Sequence, residues 1–276
     1  MRLWANQVRQ GIIASTHAAK SGHPGGSLSI AEALVYLYFE EMNLPSVDDP
    51  DRDRFVLSKG HAAPALYSVL ACKGILPWED LLTLRHIDSY LQGHPNLNIP
   101  GIDMSTGSLG QGVSAACGMA EAAKYLKKDL NVYAILGDGE CQEGQVWEAI
   151  NFAAQYKLDN LCILIDLNGL QIDGRVDDII SLHDMPARLS AAGWNAVSID
   201  GNSYEELETA FAAFHAAKGS GRPTAVCMKT VKGKGVSFME DQVGWHGKGP
   251  NDAEYENAMK ELKAAEAELR KAAEND

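Results

Sequence analysis

The chain has 276 residues, 46% of them hydrophobic, and a formal net charge of −13. That length and composition predict a globular protein with a substantial core. The acidic balance excludes a nucleic-acid binder, which needs a basic face, yet leaves room for small anions held by backbone N–H groups, histidines and a divalent cation.

Residues 3–20 predict a helix, and "SLSIAEALVYLYFEEMN" (27–43) predicts a second with the 3.6-residue apolar period. "RFVLS" (54–58) predicts a short strand, and "APALYSVLACKG" a helix closed by Gly74. Residues 88–107 are rich in Gly, Pro, Asn and Ser and predict loop; "SLGQGVSAACGMAEAAKYLKK" then predicts a long helix whose small residues suit packing on a sheet. From "NVYAILGDG" onward, short apolar runs alternate with helices: "EGQVWEAINFAAQYK", "NLCILIDLNG", "NAVSIDG", a helix from Ser203, and "PTAVCMKTV". Strands that read as continuous apolar runs between helices predict an α/β fold, a mostly parallel sheet with helices on both faces. The segment from Asn251 to about residue 273 predicts an amphipathic C-terminal helix, and no linker or repeat divides residues 1–276, so one domain is expected. No apolar run is long enough to cross a membrane, and the N-terminus lacks the apolar core of a secretion signal. Five unclustered cysteines (Cys72, Cys117, Cys141, Cys162, Cys227) suit reduced thiols, so a cytoplasmic location without a zinc site is expected.

Asp138 lies between two glycines at a strand end, and Asn168 follows the next strand, with one βαβ length between them. Adjacent parallel strands place such residues side by side. A carboxylate, an amide oxygen and diphosphate oxygens suit an octahedral Mg²⁺ site, and the N-terminus of the following helix favours the diphosphate. Either glycine turn alone would be read as an ordinary turn; the spaced pair is more specific. No G-x-G-x-x-G follows an early strand, which excludes a nicotinamide fingerprint.

The "GDG", the helix and the later asparagine resemble the thiamine diphosphate-binding motif. "SGHPGGSLSIAEAL", "LSKGHAAPALY", "QGHPN", "STGSLGQG", "KTVKGKG" and "WHGKGP", in that order, resemble the transketolase family over almost the whole chain. The resemblance implies the thiamine diphosphate-binding fold, in its diphosphate-binding domain. It implies Asp138, Asn168 and the backbone carbonyl of Leu170 as ligands of Mg²⁺ or another divalent cation such as Ca²⁺ or Mn²⁺. It assigns Gly107, Ser108, Leu109, Asp138, Gly139, Asn168 and Lys232 to the cofactor. The family often has proline where this chain has Ser108, a change that backbone contacts survive. His61 and His246 match positions at the cofactor phosphates or the reacting carbons, and His23 and His94 match positions in the substrate channel, so all four are candidate catalytic residues. His17, His86, His183 and His215 lack such context. Glu143 and Glu148 match a dimer-interface region, or are ordinary charge near a helix N-terminus.

In the family, a glutamate that activates the cofactor, the pyrimidine pocket and most sugar-phosphate contacts lie in a second domain, and this chain ends before that domain would begin. The resemblance therefore implies the N-terminal subunit of a split transketolase. A C-terminal subunit would be its partner in a heterotetramer, and a two-carbon ketol unit would pass from a ketose phosphate such as xylulose 5-phosphate to an aldose phosphate, in carbohydrate metabolism of the pentose phosphate kind. The alternatives are half of a 1-deoxyxylulose 5-phosphate synthase-like enzyme and a non-catalytic scaffold subunit.

Overall fold

The computed structural model describes residues 1–172 and 174–274. In chain order the elements are α1 (Arg2–Ala18), α2 (Pro24–Leu28), α3 (Ala31–Tyr36), β1 (Arg54–Leu57), α4 (Ala63–Cys72), α5 (Gln111–Tyr125), β2 (Val132–Gly137), α6 (Gly144–Gln155), β3 (Leu161–Leu167), β4 (Leu170–Gln171), β5 (Gly174–Arg175), α7 (Val176–Ile180), α8 (Met185–Ala191), β6 (Asn195–Asp200), α9 (Tyr204–Ala217), β7 (Thr224–Lys229) and α10 (Asp252–Ala273). Five strands form one parallel sheet in the order β1-β2-β3-β7-β6; β4 and β5 make a small antiparallel hairpin outside it.

The α/β expectation holds, and strand alternation explains the double layer. Leu57, Tyr133, Ile135, Cys162, Leu164, Val226 and Met228 point to one face, where α1, α3, α4 and α9 pack. Val56, Val132, Ala134, Leu136, Ile163, Ile165, Ala225 and Cys227 point to the other, under α5, α6 and α8. β2 and β3 are register neighbours, Gly137 opposite Asp166, so the loops after them emerge together at the carboxyl edge. That edge is where ligands sit in open parallel sheets.

One sequence expectation needs correction. Residues 27–43 do not form one helix. The chain breaks between α2 and α3, and a π-helical turn follows over Leu37–Glu41. The break lies where the Gly26 carbonyl accepts Lys59 Nζ (2.7 Å) and Ser29 Oγ (3.2 Å) instead of a helical N–H, while the Ile30 N–H turns to the Ser27 carbonyl (3.4 Å). The helix expected over "EGQVWEAINFAAQYK" is present as α6. A 3₁₀ turn over Gly139–Gln142 comes first, and α6 starts after an extended Glu143. The C-terminal helix starts where its polar residues predict: Asn251 caps α10, with Glu254 completing a reciprocal capping box.

Candidate active site

The loops at the carboxyl edge bring the four candidate histidines together. His23 caps α2 immediately before Pro24, and its carbonyl accepts Ser27 Oγ at 2.7 Å, which fixes the tight turn. His61 lies in the 3₁₀ turn Gly60–Ala62, and His94 in a loop whose carbonyl accepts the Tyr67 hydroxyl at 3.0 Å. His246 follows the 3₁₀ turn Val243–Trp245, fastened by Trp245 Nε1 donating to the Phe238 carbonyl at 3.2 Å. The ring centre of His23 stands 5.2 Å from that of His61, 6.5 Å from His94 and 5.5 Å from His246; His61 and His246 are 5.3 Å apart.

A cavity of about 310 Å³ opens beside this cluster. Its walls include Asp138, Gly139, Asn168, Leu170, Lys232, His61, His246 and Leu109. Gly107 and Ser108 lie just outside it: Ser108 is exposed, and Gly107, with φ of +155°, faces the His94 ring, where an added Cβ would stand 3.2 Å from the imidazole. A Cβ at Gly139 would press on Gln171 Cβ at 3.1 Å. A second hollow of about 480 Å³ shares Asp138 but is otherwise lined by residues such as Gly169, His183, Met185 and Lys229, and holds none of the four clustered histidines.

The electrostatics at Asp138 are those of a buried carboxylate. Asp138 is 4% exposed and accepts the backbone N–H of Gly139 (2.8 Å) and of Gly169 (2.6 Å). Among the described residues no basic side chain forms an ion pair with it. Burial and the nearby Asp166 charge push its carboxyl up to about 7. A divalent cation would relieve that penalty, and an oxygen set of Asp138, Asn168 and the Leu170 carbonyl is hard, as Mg²⁺, Ca²⁺ or Mn²⁺ require. The residues present therefore fit the ion. Among the described residues there is no cluster of three His, Cys, Asp or Glu that would instead suit a softer metal.

The histidines are held neutral. Burial, then the charges of Arg85, His94 and Lys232, lower His23 to about 4; burial and Lys232 lead the lowering of His246 to about 3. His61 falls well below its ordinary value through burial and Lys59, and His94 falls through burial and Arg85. Lys232, 2% exposed, is lowered to about 8 by burial. Its Nζ donates to the Leu170 carbonyl (2.9 Å) and faces His246 Nδ1 at 2.9 Å. An ammonium has only donors, so Nδ1 must be the acceptor and His246 carries its proton on Nε2.

Four further residues escaped the sequence reading. Lys59 and Asp166 form a buried ion pair at 2.6 Å beside Asn168. Glu140, 2% exposed, accepts Ser58 Oγ (2.5 Å), the Gly110 N–H (2.9 Å) and the Gly137 N–H (3.1 Å), pinning the loop before α5 to the end of β2. Arg85, in left-handed backbone with φ of +62°, donates to Ser21 Oγ at 2.9 Å, and its guanidinium fills the space that a Cβ on Gly93 would need. The available signal was charge inside apolar patterns: an aspartate within "LCILIDL" and a lysine within "VLSKGHAAPAL" each demand a partner. Of the histidines without motif context, His17 pairs with Asp252 and stacks on Tyr255, and His215 pairs with Glu41.

Comparison with known proteins identifies the family. The family described as transketolase, thiamine diphosphate binding domain, matches residues 2–269. The chain is 48% identical over 250 residues to the transketolase of Homo sapiens, covering 88% of this chain and 39% of that one. It thus spans about two-fifths of the length of such relatives. Two other relatives, each named as one subunit of a transketolase, match nearly end to end. The subunit from the apulose-4-phosphate transketolase of Phocaeicola vulgatus is 40% identical, with 95% of this chain and 93% of that one covered. The SqwG subunit of the 6-deoxy-6-sulfo-D-fructose transketolase of Clostridium sp. is 42% identical, with 94% of each covered. Among solved structures, transketolase from Campylobacter jejuni superposes with a TM-score of 0.86 at 32% identity, over 97% of this chain and 43% of that one. The chain belongs to the transketolase family, as its thiamine diphosphate-binding domain.

Proposed function

We propose that this chain is the N-terminal subunit of a two-subunit transketolase, working on sugar phosphates with a C-terminal partner. The observation that carries the reading is the cluster of four imidazoles, of which His61 and His246 line the cavity that holds Asp138, Asn168 and Lys232 and His23 and His94 stand beside them. The near full-length match to two proteins named as transketolase subunits supports the division into two chains. Thiamine diphosphate, when bound, supplies the carbon nucleophile that carries a two-carbon ketol unit. Asp138, Asn168 and the Leu170 carbonyl hold its divalent cation, Mg²⁺ in the cell. Gly139 and Lys232 meet the diphosphate, with Gly107, Ser108 and Leu109 along its edge. His61 and His246 face the diphosphate end and the reacting carbons. His23 and His94 line the sugar channel, where a neutral imidazole both accepts and donates hydrogen bonds at hydroxyl groups and passes protons. Each proton transfer is worth about 10²–10⁴-fold in rate by the general rule.

The partner supplies the remaining cofactor pocket, in a heterotetramer, and the donor is a ketose phosphate of pentose phosphate metabolism. The five free thiols support a cytoplasmic location. The test is to purify the chain with whatever it assembles with in its own cells, and to assay ketol transfer from xylulose 5-phosphate, apulose 4-phosphate and 6-deoxy-6-sulfo-D-fructose. Transfer that is lost in Asp138→Ala with assembly intact supports the proposal. Transfer by the chain alone, or an assembly that binds thiamine diphosphate and transfers nothing, refutes it.

A further inference from the structure

Asn168 is useful to a cation only through its oxygen, so something must decide which end of its amide faces the cavity. Asp166, wholly buried at the end of β3, faces the other end. Its Oδ2 accepts Lys59 Nζ (2.6 Å), Ser29 Oγ (2.7 Å) and Asn168 Nδ2 (2.7 Å), and its Oδ1 accepts the Thr230 hydroxyl. A carboxylate only accepts, so it takes the NH₂ end of the amide. Asn168 Oδ1 is thereby turned to the cavity side, where it accepts the Leu170 N–H at 3.1 Å. With the amide reversed, two oxygens would oppose each other and an N–H would face an NH₂. Both contacts favour the same orientation.

Lys59 makes the arrangement tenable. Its side chain is 1% exposed, and its ammonium also donates to the Gly26 carbonyl at 2.7 Å. It offsets the Asp166 charge, which would otherwise stand uncompensated beside the buried Asp138.

We propose that Asp166, held by Lys59, is a positioning residue that presents Asn168 Oδ1 to the divalent cation; this rests on the metal–diphosphate reading of the cavity. Partners of this kind typically change metal affinity by about 10–100-fold. The test measures Mn²⁺ binding, by the loss of its free electron paramagnetic resonance signal, on the assembled protein at saturating thiamine diphosphate. Because removing the Asp166 carboxylate alone leaves Lys59 unpaired and endangers the fold, the working variant is Lys59→Met with Asp166→Leu, which leaves Asn168 Nδ2 no acceptor there, its folding checked by melting temperature. It should bind Mn²⁺ about 10–100-fold more weakly. Adding Asn168→Asp to that variant should restore most of the affinity, because a carboxylate offers an oxygen whichever way it turns. Asn168→Asp in wild type is the control for the added charge, and the gain in the variant must exceed the gain there. Binding by the double variant within about threefold of wild type, far short of the usual effect, would overturn the proposal, as would a triple variant no better than the double. If wild type itself takes up no Mn²⁺ with thiamine diphosphate, the metal–diphosphate reading fails first and this inference with it.

Discussion

Replacing Asp138 by asparagine in chelator-treated protein should raise stability at neutral pH, and the gain should vanish in acid. The carboxyl rises from an ordinary 3.8 to about 7 on folding. Roughly three pH units at about 1.4 kcal/mol each set a ceiling near 4 kcal/mol. Because the folded value is the higher one, the native state keeps a proton between about pH 4 and pH 7 that the unfolded chain has released. The contribution is fully present below about pH 4 and is lost as pH rises to about 7, at close to 1.4 kcal/mol per unit. Asparagine does not titrate and has no such slope. It does turn one acceptor oxygen into NH₂, so either the Gly139 or the Gly169 N–H loses its partner. That costs about 1–3 kcal/mol. The net expectation is a variant about 1–3 kcal/mol more stable than wild type at pH 8 and less stable at pH 4. Urea unfolding in EDTA across this range reads the difference directly. A difference that does not change with pH would refute the reasoning. Mg²⁺ with thiamine diphosphate should reverse the order, because the ligands stabilise only the protein that binds them.

Three further outcomes are expected. Arg85→Met should raise the pKa of both His23 and His94, since the guanidinium is the charge that lowers each most after burial; NMR titration of the ring protons checks this, and unmoved values would remove Arg85 from the site's field. Glu140→Ala strands three donors (Ser58 Oγ, the Gly110 N–H and the Gly137 N–H) at a buried position. It should cost about 3–5 kcal/mol by chemical denaturation, and a loss under about 1 kcal/mol would mean that water replaces the carboxylate. Asn251→Ala removes the capping box of α10 and should cost about 1 kcal/mol, measured the same way; an unchanged midpoint would show that the capped turn frays in solution.

Local pattern carried much of this protein. The apolar runs of β2, β3 and β7 are buried on both sides, as strands at the centre of a parallel sheet must be. The interval from Asp138 to Asn168 is one strand–helix–strand unit, so their adjacency followed from chain geometry alone. The histidines were legible as motifs, because glycine and proline mark the turns that hold them. That they stand within one cluster was decided only by the sheet, which delivers four loops from distant parts of the chain to one edge. What local pattern could not reveal is the pairing of buried polar groups. Lys59 and Asp166 each carry a charge that the other offsets, and their contact exists because β1 and β3 flank β2. The same pairing explains the break between α2 and α3, where Lys59 and Ser29 take the Gly26 carbonyl against a strong helical period. Periodicity reports which face of a segment is apolar. Which buried charge meets which is a property of the folded layers, and at this site those meetings set the direction of the Asn168 amide and, among the described residues, leave Asp138 without an ion-pair partner.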